Sequence, residues 1–498
     1  MILLTQFSVL TQPWIPVKHP DGTREDVGLW DALTKAHQYT GLCCESPLEE
    51  YSIQRLLIAF LMDAYQPQTY RDRRALYRKG CFDPDVLQRY ITMCEQEGAS
   101  FDLFDEKRPF MQATYNEKWD NGKEKPVSSI IHTASSGNNH IHFEHHFVDE
   151  YSLTHAQALR AMLASYVFCM AGAQGYPSSV NNTPCNYYLV FGKTLFHTLV
   201  LNMLSVLECG NIPWNTPPVA WRDFSEIIPK QEHTNVSILS AFTWQPRRIT
   251  LLSINETVTQ TYYQQGKNFL GNALWMEPHA AFGKSAKDEW FTIKPKSGRS
   301  LWRDIGTIAA SSDSSAVRHR PPLPSLSYHQ IVSETQQLVP LWVTGLVTNQ
   351  AAIAELQEDT LYIPNAILSE PELGEQLQCD IQLCEQIASE FATHYKIKKK
   401  KKENNQIFIS HLLQEQFFIA CHKLLFTQYL PTLASTDICT ENWQAEISTF
   451  FIQELSKIVK EIQNQAATYI GSSGRNLILL TQCNNAFNQS YRKIIKKG

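Results

Sequence analysis

The sequence predicts an α+β fold: a mixed N-terminal globular domain followed by a C-terminal four-helix bundle. Three observations carry this. Short β-like runs separated by turn residues occupy the chain up to Asn365, apolar residues at three- and four-residue spacing dominate beyond Pro364, and 498 residues exceed a single packing unit. The expected domains are 1–365 and 366–498. Hydrophobic, charged and aromatic fractions of 43%, 19% and 11% are those of a folded protein. With 44 Lys and Arg against 49 Asp and Glu the net charge is -5, which excludes a bulk positive field, so any nucleic-acid contact must be local.

The elements follow in order. Phe7–Val17, then Pro20, Asp21 and Gly22, read as a strand, a turn and a returning strand. Leu56, Leu57, Phe60 and Leu61 place an amphipathic or buried helix within Glu49–Tyr65. From Ala113 to Asp149, Asn, Gly, Ser and His outnumber apolar anchors, the signature of a long loop system. A helix is expected from Ala156 to Met170. Gly172, Ala173, Gln174 and Gly175 after it either stop the helix or bring bare backbone close to a ligand. From Leu189 to Asn365 strands such as Ile249–Ile254 alternate with connectors of Pro, Ser and Gly.

Four helical periods close the chain. Leu377, Ile381, Cys384, Ile387 and Phe391 mark the first, Ile409–Phe426 the second, Ile447, Phe451, Leu455, Ile458 and Ile462 the third, and Leu477–Ile495 the fourth. They are separated by Lys396–Asn405, by a connector holding Pro431, and by Gly471–Gly474.

The 12 cysteines lack Cys-x-x-Cys spacing, so buried free thiols are expected rather than a zinc ribbon. The N-terminus lacks a secretory pattern and no apolar run reaches the roughly 20 residues that span a bilayer. A cytoplasmic protein with reduced thiols and no membrane partner is expected. His132, His140, His142, Glu144, His145 and His146 are the densest group of ligand-type side chains. In a strand, His140, His142 and Glu144 would share a face, whereas the flanking Ser, Gly and Asn argue against a helix. The alternatives are a metal site, a polar loop contacting nucleic acid, and an inert exposed loop. Lys284–Arg320 holds eight Lys and Arg against four Asp and Glu, interleaved with Trp290, Phe291 and Trp302; this is either a nucleic-acid face or a salt-bridged surface. Lys398–Lys402 reads as a solvated turn or a phosphate contact. Phosphate-loop and nucleophile-elbow motifs are missing from the sequence.

Several phrases together resemble the large, CasA-type subunit of the type I-E CRISPR Cascade surveillance complex: Leu10 with Pro13-Trp14-Ile15-Pro16-Val17, Arg108-Pro109-Phe110-Met111-Gln112, Ser136-Gly137-Asn138-Asn139, Thr243-Trp244-Gln245-Pro246, Leu274-Trp275 with Pro278-His279, and Asn349-Gln350-Ala351. The resemblance covers most of the chain. It implies a non-catalytic subunit without cofactor or metal that recognises a short flanking motif, the PAM, in target double-stranded DNA and starts duplex opening and R-loop formation. The implied partners are the other Cascade subunits with guide RNA, the target duplex, and a recruited helicase-nuclease.

By the same resemblance, Gly172, Ala173, Gln174 and Gly175 are similar to the family's glycine loop, Lys267 to its lysine finger, and Asn349, Gln350 and Ala351 to its glutamine wedge. Asn138, Asn139 and the aromatic Phe143 fall in the loop near the guide RNA and PAM. Here the glycine loop carries Ala173 and Gln174, and the first loop is rich in histidine. The family's occasional cysteine cluster has no counterpart in Ser253–Tyr263. Two other readings remain open at this stage: a metal-dependent hydrolase using His132 to His146, and a scaffold without DNA readout.

Overall fold

The computed structural model describes residues 6–132, 134, 151–170, 179–180, 184–269, 275–285, 287–309, 319–332, 338–349, 352–395, 409–470 and 474–496. It divides into two compact units. One holds Met1–Leu301, Pro322–Thr335 and Pro340–Leu361; the other holds Trp302–Pro321, Gln336–Val339 and Tyr362–Gly498.

In the first unit, β1 (Ile15–Lys18) and β2 (Arg24–Val27) form an antiparallel hairpin turned through Gly22 at φ 88°. The observed first strand is shorter than the expected Phe7–Val17. The Trp14 indole donates to the Val9 carbonyl at 2.8 Å and folds the chain into turns before Ile15. Helix α1 (Pro47–Tyr65) starts where the Ser46 hydroxyl accepts from the Leu48 amide, with Pro47 at a position that needs no donor. It ends at Gln66 in the left-handed region, φ 42°. Its burial is more complete than apolar spacing alone requires, since Gln54, Arg55 and Asp63 are each no more than 3% exposed.

Helix α2 (His155–Val167) packs on α1 and opens with a capping box, in which Thr154 and Gln157 satisfy each other's amides. It ends at Val167, before the Met170 expected from the sequence. The strand β3 (Tyr187–Val190) follows, then the antiparallel pair β4 (Arg247–Ile254) and β5 (Thr257–Gln265). Asn255 and Glu256 join that pair with φ 51° and 62°, a turn whose twist matches the strands it connects. β6 (Phe282–Lys284) pairs with β7 (Trp290–Thr292). Within the expected long loop from Ala113, the described residues include a helical turn, Glu117–Asp120, a strand, Glu124–Pro126, and a 3₁₀ turn, Val127–Ile130.

The largest departure from the sequence reading is a ribbon of two long strands, β8 (Leu338–Asn349) and β9 (Ala352–Pro364), with β8 also pairing antiparallel to β3. Short runs with connectors of Pro, Ser and Gly were expected here, whereas Pro340 and Gly345 lie inside β8. Both have packing reasons. Pro340 offers only its carbonyl, which accepts from the Phe191 amide at 2.9 Å. A Cβ at Gly345 would meet the Asn186 side-chain oxygen at 2.4 Å, so only glycine allows that approach.

In the second unit α3 (Pro371–His394), α4 (Ile409–Leu424), α5 (Trp443–Ile470) and α6 (Gly474–Ile495) form the four-helix bundle. Each helix has two flanking neighbours: α3 packs on α4 and α6, and α5 packs on the same two. Phe391, Phe417 and Phe487 meet in its core, with Phe391 4.4 Å from Phe487 between ring centroids. Pro431 does not sit in an open connector. A π turn, Leu425–Tyr429, carries the chain on from α4 into Leu430–Ala434, and Pro431 follows directly where the regular α-helical hydrogen-bond pattern is already interrupted. No helix among the described residues is long and apolar enough to cross a membrane.

Candidate nucleic-acid interface

Three of the sequence phrases meet in the first unit. A Cβ at Gly266 would lie 2.5 Å from the Gln245 carbonyl oxygen and 2.6 Å from the Arg247 nitrogen, so only glycine fits between them. The Gly266 amide donates to Pro246 at 3.0 Å and the Lys267 amide to Gln245 at 2.9 Å, which fixes the Lys267 backbone. The Gln245 side chain in turn donates to the Met111 carbonyl at 2.9 Å, as does the Tyr166 hydroxyl of α2 at 3.0 Å. Those two buried donors hold Met111 at φ 56°, a costly conformation for a side-chain-bearing residue.

Arg247, which sequence reasoning missed, ties this centre to the end of α2. Its guanidinium donates to the Met170 carbonyl at 2.6 Å, the Tyr263 hydroxyl at 3.0 Å and the Pro246 carbonyl at 3.0 Å. The only hint was its place beside Thr243-Trp244-Gln245-Pro246. His132 Nε2 donates to the Phe168 carbonyl at 3.2 Å. Burial pushes the His132 imidazole down to about 4, so it stays neutral at physiological pH. His132, at the entry to the histidine-rich segment, and Met170, at the entry to Gly172–Gly175, are thus held by neighbouring contacts. Gly172, Ala173, Gln174, Gly175, Asn138, Asn139, Phe143, Gln350 and Ala351 lie outside the described residues, as do His140, His142, Glu144, His145, His146 and Lys398–Lys402.

Lys267 is not an extended finger in this structure. Its ammonium sits 2.6 Å from Asp223 with the side chain 10% exposed. Burial alone would raise the Asp223 carboxyl, but the Lys267 charge and hydrogen bonds hold it below its ordinary value. Asp223 also lines a cleft of about 300 Å³ with Lys107, Met111, Phe224, Glu226 and Arg248, so the pair lies beside an opening. The Arg108 guanidinium lies over the Phe224 ring, 3.7 Å from its centroid. A nucleic-acid contact by Lys267 requires it to exchange Asp223 for the new acceptor.

Asn349 ends β8 and Ala352 begins β9, which places the wedge phrase where the two strands connect. The ribbon is braced across its width: the Trp342 indole donates to Glu358 at 2.8 Å, and the Thr344 hydroxyl to the Gln357 carbonyl at 3.2 Å.

The basic stretch expected as one face from Lys284 to Arg320 is divided. Trp302 is buried, and Arg303 is engaged by Glu385 through two hydrogen bonds of 2.7 and 2.6 Å, with its guanidinium 3.6 Å from the Phe418 centroid. Those residues serve the packing of the second unit. Lys287, Trp290, Phe291, Lys294 and Lys296 are exposed in the first. All twelve cysteines are free thiols; Cys81, Cys379 and Cys439 are exposed rather than buried as expected. Among the described residues no three His, Cys, Asp or Glu side chains converge as metal ligands would.

A family model described as CRISPR-associated protein Cse1 matches residues 9–459. The chain belongs to the Cse1 family. A curated relative from Thermus thermophilus, CRISPR-associated protein CasA/Cse1, is 27% identical over 394 residues, covering 77% of this chain and 76% of the relative. The solved structure of Thermus thermophilus CasA (Cse1) has a TM-score of 0.78 at 21% identity and covers 98% of this chain and 99% of that one. Thermobifida fusca Cse1 gives 0.78 at 20% identity over 99% and 98%. A chain from a structure titled CRISPR RNA-guided surveillance complex gives 0.76 at 15% identity over 98% and 99%. The Cse1 match spans the converging phrases and the wedge phrase alike, and the likeness to solved structures extends the Cse1 fold through the bundle.

Proposed function

We propose that this chain is the large subunit of a type I-E CRISPR RNA-guided surveillance complex, which recognises the PAM in target double-stranded DNA and initiates duplex opening. The observation that carries the reading is the Cse1 family match over residues 9–459. In this role base pairing to guide RNA reads the target, and the protein reads only the flanking bases. Gly172–Gly175 would bring backbone donors to the minor groove, Lys267 would donate to base edges or phosphate on leaving Asp223, and Gln350, with Asn349 and Ala351, would enter the duplex end as a wedge. A long braced ribbon suits a wedge, because work done at its tip must not bend its stem. Asn138, Asn139 and Phe143 belong to the loop proposed to face guide RNA.

The subunit acts without catalysis, cofactor or metal in this reading, and a helicase-nuclease recruited after R-loop formation supplies the cutting. The other Cascade subunits are its constant partners, and its location is cytoplasmic.

The test is binding of guide-loaded complex, with and without this chain, to a target library randomised at the flanking bases. A flanking-base preference that depends on the chain is expected. A preference unchanged by omitting it overturns the reading, and a loss of binding equal for every flank reduces the chain to a scaffold.

A further inference from the structure

Lys294-Pro295-Lys296-Ser297-Gly298-Arg299 carries three cations and no acid in a chain of net charge -5. This turn is fastened to the stem of the β8–β9 ribbon from three directions. The Gln357 side-chain amide donates to the carbonyls of Lys296 and Arg299 at 3.0 and 3.3 Å. The Gly298 amide, at φ 67°, donates to the Glu355 carboxylate at 3.1 Å. Pro295 lies against Gly345 of β8, where a Cβ would stand 3.0 Å from the proline ring.

The exposure that results is selective. Pro295 is half-buried on the ribbon, whereas Lys294 and Lys296 on either side of it are exposed. Two residues span at most about 7 Å, comparable to the separation of neighbouring phosphates along one strand. Two nearby acids are engaged. Glu355 accepts from Gln357 at 2.8 Å as well as from Gly298, and hydrogen bonding, Gln357 first, holds its carboxyl below the ordinary value. Asp288 of the preceding turn pairs with Lys284 at 3.0 Å. Glu355 is three positions from the start of β9, so the anchored turn stands about 10 Å behind the end of the ribbon.

The geometry points to Lys294 and Lys296 as a phosphate clamp, built on the stem of the ribbon, that holds the backbone of the DNA duplex while the end of the ribbon works on it. The inference rests on the proposed DNA-opening role. Its chemistry is that of backbone positioning, blind to sequence. Gln357 and Glu355 are positioning residues that fix where the two ammonium groups stand.

The experiment measures the affinity of guide-loaded complex for closed target duplex across a salt series, with Lys294→Gln/Lys296→Gln and separately with Gln357→Ala. Each phosphate that the protein no longer neutralises should make the slope of log affinity against log salt shallower by about 0.9, so the double variant is expected to change it by nearly 2, equally for every flanking sequence. Gln357→Ala removes no charge, and its expected result is weaker binding with the flanking preference retained. An unchanged slope in a complex with wild-type melting behaviour overturns the clamp, as does a loss that depends on the flanking bases. Reduced guide RNA content in the purified double variant would assign the lysines to RNA instead. A shallower slope in a complex whose flanking preference is indifferent to this chain would leave the clamp standing and remove the proposed function.

Discussion

Arg55 and Glu277 are 222 positions apart and meet inside the first unit through two hydrogen bonds of 2.7 and 3.0 Å. Arg55 also donates to the Tyr51 hydroxyl, Tyr51 donates to His279 Nδ1 at 3.1 Å, and His279 Nε2 donates to the Asn202 carbonyl at 3.0 Å. Burial opposes ionisation of Glu277, yet the Arg55 charge prevails and holds its carboxyl down to about 2. Burial pushes His279 down to about 4 from its ordinary 6.5. As pH falls through that interval the unfolded chain takes up a proton that the folded chain refuses, so stability falls with pH, by up to roughly 3 kcal/mol for one such histidine. Urea unfolding at pH 7 and pH 5 should show this loss, and His279→Gln should make it smaller; an unchanged pH dependence would contradict the assignment.

The Lys267–Asp223 pair makes a second prediction at the same scale. Asp223→Asn should free the lysine and raise affinity for PAM-bearing target a few-fold, roughly 1 kcal/mol or less. Lys267→Ala should lower affinity in a way that depends on the PAM bases, as binding titrations with altered flanks would show. Uniform weakening with a shallower salt slope would make Lys267 a phosphate contact instead. None of these pairings was legible in the sequence, because charge partners so far apart leave no periodic trace.

At the scale of elements, the bundle was legible because its apolar spacing persists through four long segments, and the α1 helix for the same reason. The β8–β9 ribbon was not, since Pro340 and Gly345 read as breaks until Phe191 and Asn186 are seen to require them. The wedge and Lys267 were named only through family resemblance, for an isolated Gln or Lys carries no local signal. Inside the bundle, the carboxyl of Asp380 on α3 is buried and raised to about 6 from 3.8, mainly by desolvation, although Tyr429 and Gln376 hydrogen-bond to it. The folded state therefore prefers the protonated acid, and stability falls as pH rises through that interval. At neutral pH the buried charge costs on the order of 3 kcal/mol. Asp380→Asn should stabilise the protein by about 1–3 kcal/mol at pH 7 and remove that pH dependence. Thermal or urea unfolding at pH 4.5 and 7 checks it, and a destabilised variant at pH 7 would refute it.

For the whole molecule these groups act with opposite signs: acid weakens the first unit through His279 and His132, and favours the bundle through Asp380. His132 is already neutral between pH 8 and 6, so a gain in DNA binding over that range would have to come from other groups, such as His140, His142, His145 and His146. In the proposed function the first unit opens DNA at the end of a braced ribbon. That role is tested most directly by comparing wild-type and Gln350→Gly complexes on two targets, one a closed duplex and one already unpaired beside the PAM. The variant should bind the closed duplex more weakly, by the few kcal/mol that unstacking demands, and the pre-opened target normally. Equal losses on both would contradict the account.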